Sequence, residues 1–178
     1  AGAISPLIGL AKDSRSQLEG RRYAVLALAN LSATVTNHAV MMDDEALHGI
    51  FALSNSADKM SQFYVSCALA NLSSNAANHA VIVAAGGLQP LITLCYAPDP
   101  DVHQRAAAAL RGLAVSFENR MKIVEEGGLE PLNRLLASVD VDILREVCAT
   151  LNNLSLGDEN KFEIAKSGAI TSLIAHAR

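Results

Sequence analysis

Residues 24–32 read AVLALANLS, residues 65–73 read VSCALANLS and residues 147–155 read VCATLNNLS. The tripeptides Asn30-Leu31-Ser32 and Asn71-Leu72-Ser73 lie 41 positions apart, and Asn153-Leu154-Ser155 follows 82 further on. The missing copy falls on Gly112-Leu113-Ala114. The same step recurs in Asn37, Asn78, Asn119 and Asn160, in Gly86, Gly127 and Gly168, and in Met41, Ile82, Ile123 and Ile164. Four ladders in one register identify a repeat protein.

Each period divides into three helical pieces. In the third copy Asn78 is a candidate N-cap for a short apolar helix that ends at Gly86-Gly87. A second helix starts at Leu88, with Pro90 in its first turn, where a missing N–H costs little. Pro98 and Pro100 mark a turn, and an Ala-rich third helix runs from Val102 to Ser116. Copy two departs from this pattern, with Glu45 at the glycine position and Gly49 at the proline position. Copy one has two extra residues between its second and third helices.

In the third helices the apolar positions align as Ala24, Val65, Ala106 and Val147, then Leu28, Leu69, Leu110 and Leu151, then Leu31, Leu72, Leu113 and Leu154. Spacings of four and three put them on one helix face. Ala27, Ala68, Ala109 and Thr150 between them permit close helix approach. No single copy can bury this stripe, whereas stacked copies bury it continuously. The expected organisation is one all-α solenoid over residues 1–178, an excerpt of a longer array. Its partial first repeat covers 1–36, complete repeats cover 37–77, 78–118 and 119–159, and a partial fifth covers 160–178.

Composition narrows the function. Hydrophobic residues are 51% of the 178, so the chain holds enough apolar surface for a core, and aromatics at 4% make that core aliphatic. A net charge of −4 and no Trp argue against nucleic acid, which needs a basic surface and aromatic platforms. No apolar run reaches membrane-spanning length, so no membrane insertion is expected. Cys67, Cys95 and Cys148 cannot all pair, and none has a CxxC neighbour. They read as reduced thiols of a cytoplasmic protein, a nuclear one being equally compatible, and Cys67 as a small hydrophobe. His38 and His79 occupy equivalent positions in adjacent copies, too far apart to share a metal, and are expected in exposed first turns. No nucleophile–base set or paired carboxylates stand out, so the sequence implies no enzyme, no metal and no cofactor.

The helix triplet, the Gly-Gly bends at Gly86-Gly87 and Gly127-Gly128, the second helices GGLQPLITL and GGLEPLNRL and the third helices CALANLS and CATLNNLS together resemble the armadillo repeat. The wording is most similar to vacuole-anchored armadillo scaffolds and to the armadillo region of plant U-box ubiquitin ligases. The resemblance implies a right-handed α-solenoid whose third helices line a concave groove. It also implies a protein-binding scaffold that takes an extended peptide or a helix of its partner, linking a membrane-attached body or cytoskeleton to cargo. The alternative is the substrate-recruiting region of a ubiquitin ligase whose catalytic domain lies outside this chain. Membrane tethering through such an outside segment is compatible with either.

On this resemblance Asn30, Asn71 and Asn153 form a row of amides that hold a peptide main chain, since an amide both donates and accepts. Each Asn could equally bond its own helix or a neighbour's backbone. Gly112 interrupts the row, and Gly112→Asn is expected to restore it and to stabilise the helix. Nuclear-import armadillo receptors carry a Trp one turn earlier; here those positions are Leu26, Cys67, Ala108 and Ala149. Two turns before the Asn row stand Arg22, Tyr23, Phe63, Tyr64, Gln104, Arg105, Arg145 and Glu146. Tyr and Arg are common interface anchors, so Arg22, Tyr23, Tyr64, Arg105, Arg145 and Glu146 complete the candidate peptide site. Ile4, Leu7, Ile8, Ile170, Leu173 and Ile174 are expected to be uncovered at the two ends and to support weak self-association.

Overall fold

The computed structural model describes residues 2–176. Among them are thirteen α-helices, one 3-10 turn and no strand. The second helices of successive repeats are α1 (Ile4–Lys12), α4 (Asp44–Phe51), α7 (Leu88–Leu94), α10 (Leu129–Leu135) and α13 (Ala169–His176). The third helices are α2 (Leu18–Ser32), α5 (Lys59–Ser73), α8 (Pro100–Leu113) and α11 (Val141–Ser155). The first helices are α3 (Val35–Met41), α6 (His79–Ala84), α9 (Phe117–Glu125) and α12 (Asp158–Lys166), with the 3-10 turn Ala76–Asn78 leading into α6.

The third helices pack side by side in chain order and form the spine of the solenoid. Their aligned leucines fill it: Leu28, Leu69 and Leu110 have no exposed surface and Leu151 has 3%. Burying each such side chain contributes about 1.5–3 kcal/mol. Ala68, Ala109 and Thr150 are buried between neighbouring third helices. Thr150 Oγ1 also donates to Ala107 O across the α8–α11 contact, at 3.2 Å.

The bend between first and second helices is a Schellman motif. Gly87 N donates to Ile82 O and Gly86 N to Val83 O, with Gly86 at φ +80°. Gly127 repeats this at φ +89°. The second glycine of each pair is fixed by space, because a Cβ on Gly87 would stand 2.8 Å from Ile82 O. Copy two turns by other means. Asp43 caps α4 by accepting from Glu45 N, so Glu45 lies inside the helix and no left-handed residue is needed. Gly49 then lets α1 approach, since a Cβ there would lie 3.0 Å from Ile8 Cγ2.

Two expectations about the first helices are overturned. Asn78 is not an N-cap: it makes no capping bond, and Asn75 accepts from Ala77 N instead. The Asn ladder closes the end of the preceding third helix. Asn37, Asn78, Asn119 and Asn160 donate to the carbonyls of Leu31, Leu72, Leu113 and Leu154 at 2.9–3.2 Å. These are carbonyls of a helix's last turn, which lack partners within their own helix. His38 and His79, expected in exposed turns, are 3% and 6% exposed. Their Nε2 atoms donate to Ser32 O and Ser73 O. His38 Nδ1 accepts from Asn78 Nδ2 at 2.9 Å, which binds the second repeat to the third. At the same ladder position Arg120 donates to Ala114 O and Val115 O, placing a cation at the α8 C-terminus.

The two ends differ. Ile4 and Ile8, expected to be uncovered, are buried against the core at 8% and 9%, whereas Ile170 and Ile174 are exposed at 48% and 53%. Leu7 and Leu173 are intermediate. No described helix is long and apolar enough to cross a membrane.

Candidate peptide groove on the third helices

The polar face of the spine is organised by what each third helix offers its predecessor. Asn71 Nδ2 reaches back from α5 to α2, donating to Ser32 Oγ at 3.0 Å and Ala29 O at 3.3 Å. Asn153 Nδ2 reaches from α11 to Arg111 O of α8 at 3.2 Å. Both amides are thus spoken for on the nitrogen side, while each Oδ1 has no partner among the described residues. Asn30, on α2, is exposed, and its side chain neither donates to nor accepts from any described residue.

Between α5 and α8 the row is interrupted by Gly112, and the reason is steric. A Cβ at Gly112 would lie 2.6 Å from Ser73 O, a backbone atom that cannot swing aside. The expectation that Gly112→Asn restores the row is therefore corrected: the side chain has no room. One trace of the missing amide remains. Ser73 Oγ, equivalent to the Ser32 Oγ that Asn71 satisfies, is buried without a partner.

Two turns earlier the remaining candidates fall into three steps. At the α2–α5 step Arg22 pairs with Asp58 at 3.5 Å and Glu19 at 3.9 Å, and its guanidinium carbon lies 5.3 Å from the Tyr23 ring centroid. Asp58 also caps α5 through Ser61, whose hydrogen bonds hold the Asp58 carboxyl below its ordinary pKa, with Arg22 adding to the effect. At the α5–α8 step Phe63 and Tyr64 meet edge to face at 5.8 Å, and the Arg105 guanidinium carbon lies 4.9 Å from the Phe63 centroid. At the α8–α11 step Glu146 accepts from Arg111 Nε at 2.6 Å, and Arg145 pairs with Asp142 on its own helix.

Arg22, Tyr23, Tyr64, Arg105, Arg145 and Glu146 are thus spread over the four third helices rather than gathered at one point. Arg111 and Asp58 escaped the sequence reading. Their signal is charge complementarity between neighbouring copies, Arg111 to Glu146 and Arg22 to Asp58, which a search for identical positions passes over. Cys67 lies in the same row, half-buried, and desolvation raises its thiol pKa above the ordinary value despite the nearby Arg105. Cys95 is fully enclosed, and burial pushes its thiol up to about 12. No cluster of three or more His, Cys, Asp or Glu side chains suited to a metal ion occurs among the described residues.

Comparison with known proteins agrees with this architecture. The armadillo/β-catenin-like repeat model matches residues 75–115 and 116–156. These repeats begin at Asn75 and Ser116, three residues before the boundaries 78 and 119 that the spacing suggests. No curated protein matches the sequence. Among solved structures, a computationally designed armadillo repeat protein for modular peptide recognition superposes with a TM-score of 0.89 at 28% identity, over 98% of this chain and 74% of that one. A designed armadillo repeat protein in complex with the peptide (KR)4 superposes at 0.85 with 28% identity, over 98% and 74%. An engineered protein does so at 0.85 and 28%, over 98% and 72%. Repeat, helix order and superposition define the class as a right-handed α-solenoid. Residues 75–156 are matched as two armadillo repeats, and the fold of the chain is that of the armadillo solenoid.

Proposed function

We propose that the chain is a non-enzymatic protein-interaction scaffold that holds an extended peptide, or a helix, of a protein partner along its third-helix groove. The observation that carries this reading is the half-used amide row. Asn71 and Asn153 spend their N–H groups on the preceding helix and keep Oδ1 as an acceptor, and Asn30 keeps both functions. Such a row matches the N–H groups of an extended chain whatever its side chains are. Designed relatives of the same fold recognise peptides, which supports the same use here.

Within this reading the free thiols fit a reducing, cytoplasmic setting. The scaffold joins a membrane-attached body or cytoskeleton to cargo. Substrate recruitment for a ubiquitin ligase is the alternative use of the same groove, and a nucleic-acid partner is not expected. Selection of binders from a random peptide library tests the site. The selected peptides should bind Asn30→Ala and Asn153→Ala more weakly than the parent, by about 0.5–1.5 kcal/mol for each hydrogen bond lost. Undiminished binding by both variants would move the partner to another face.

A further inference from the structure

The third helices carry five arginines. Arg21 donates to Ala11 O of α1, and three others have carboxylate partners: Arg22 with Asp58 and Glu19, Arg111 with Glu146, and Arg145 with Asp142. Arg105 differs. It forms no ion pair among the described residues, and its Nε is shut off from solvent without an acceptor. Asp101, one turn earlier on α8, is exposed and does not reach it. What holds Arg105 is the Phe63 ring, 4.9 Å from the guanidinium carbon, with Tyr64 packed against the edge of that ring at 5.8 Å. A guanidinium lying on an aromatic face is fixed in orientation, and its terminal pair of Nη groups, which bond to no described residue, matches a carboxylate. A charged donor without an acceptor is a poor arrangement for the empty groove and a prepared one for an anionic ligand.

We propose that the α5–α8 step of the groove receives an acidic side chain, Asp or Glu, of the bound peptide, anchored by Arg105 beside the apolar wall of Phe63 and Tyr64. This rests on the peptide-groove reading above and adds the sign of the ligand. Asn71 stands two turns further along α5 than Phe63, and its unpartnered Oδ1 is left for a main-chain N–H of the same peptide. The preference is opposite in charge to the (KR)4 peptide held by the designed relative.

Fluorescence anisotropy with three labelled peptides, (Glu-Ser)4, (Gln-Ser)4 and (Lys-Arg)4, tests it at low salt. The parent should bind (Glu-Ser)4 about tenfold or more tightly than (Gln-Ser)4, as expected for a desolvated charge pair. Arg105→Gln and Arg105→Met should cut that ratio to below about twofold. The Met variant keeps apolar contact with Phe63, should the Gln variant fail to fold. Arg15→Gln makes the same charge change on a remote, exposed side chain and should leave the ratio intact. Equal binding of the Glu and Gln peptides, a preference for (Lys-Arg)4, or an unchanged ratio in both Arg105 variants would overturn the proposal. Binding that lacks charge preference yet weakens in Asn30→Ala would overturn it while sparing the peptide groove. No binding of any of the three peptides would count against both.

Discussion

At the α2–α5 step an amide fills the contact, and at the α5–α8 step a glycine does. Asn71 spans the first gap to Ser32 Oγ and Ala29 O. Gly112, at the equivalent position, brings its own backbone so near α5 that a Cβ would sit 2.6 Å from Ser73 O. Both steps bury a serine at the end of the preceding helix, and only the first satisfies its hydroxyl. The two solutions exclude each other, since a side chain long enough to reach the hydroxyl needs the separation that glycine removes. A ladder of identical positions is therefore not a ladder of identical contacts. Substitution across it transfers a residue without its geometry.

The most damaging way to break this comparison is Gly112→Asn. The new side chain must push α8 from α5, and overpacking of this kind costs about 1–3 kcal/mol. Urea unfolding should show the loss; a variant as stable as the parent would mean that the α5–α8 contact relaxes freely. Asn71→Ala comes next. It removes two hydrogen bonds at a part-buried contact and should cost about 1–2 kcal/mol, even with no peptide present. Ser73→Ala reverses the sign. Removing a buried hydroxyl that bonds to nothing should raise stability by about 1 kcal/mol, whereas Ser32→Ala, which deletes a bonded hydroxyl, should lower it. Matched thermal melts of the two serine variants would read this directly. Asn30→Ala, on an exposed residue without partners, should stay within about 0.5 kcal/mol of the parent.

Much of this was legible beforehand. The 41-residue register, the leucine stripe and the Gly-Gly bends of copies three and four are repeated symbols with one physical meaning each. The losses have a common cause. Asn78 carries the residue type of an N-cap, but asparagine serves equally as a donor to the preceding helix's last carbonyls, and sequence cannot choose between the two. His38 looks like a surface residue until Asn78, forty positions away, covers it. Gly112 reads as a helix weakness because the atom that requires it, Ser73 O, belongs to the neighbouring copy. Arg111 and Glu146 meet across a register offset that aligned columns hide. In each case the deciding partner lies one repeat away.

The bond from Asn78 Nδ2 to His38 Nδ1 makes the array mechanically uneven. At the next junction Asn119 bonds only to Leu113 O, without reaching His79. In a quasi-one-dimensional protein, the size of a cooperative unfolding unit is set by the couplings between neighbours, not by the stability of each repeat. The His38–Asn78 bond couples the first helices of the second and third repeats, so their amides should exchange with solvent at one common rate. The fourth repeat is tied on this side by other means: Asn119, Arg120, Thr150 and Asn153 donate to carbonyls of the third repeat, and Arg111 pairs with Glu146. A chain that reads as similar copies is thus joined differently at successive junctions, through its first helices where His38 meets Asn78 and through its third helices where Asn153, Thr150 and Glu146 meet α8, so a fraying front meets a different lock at each step.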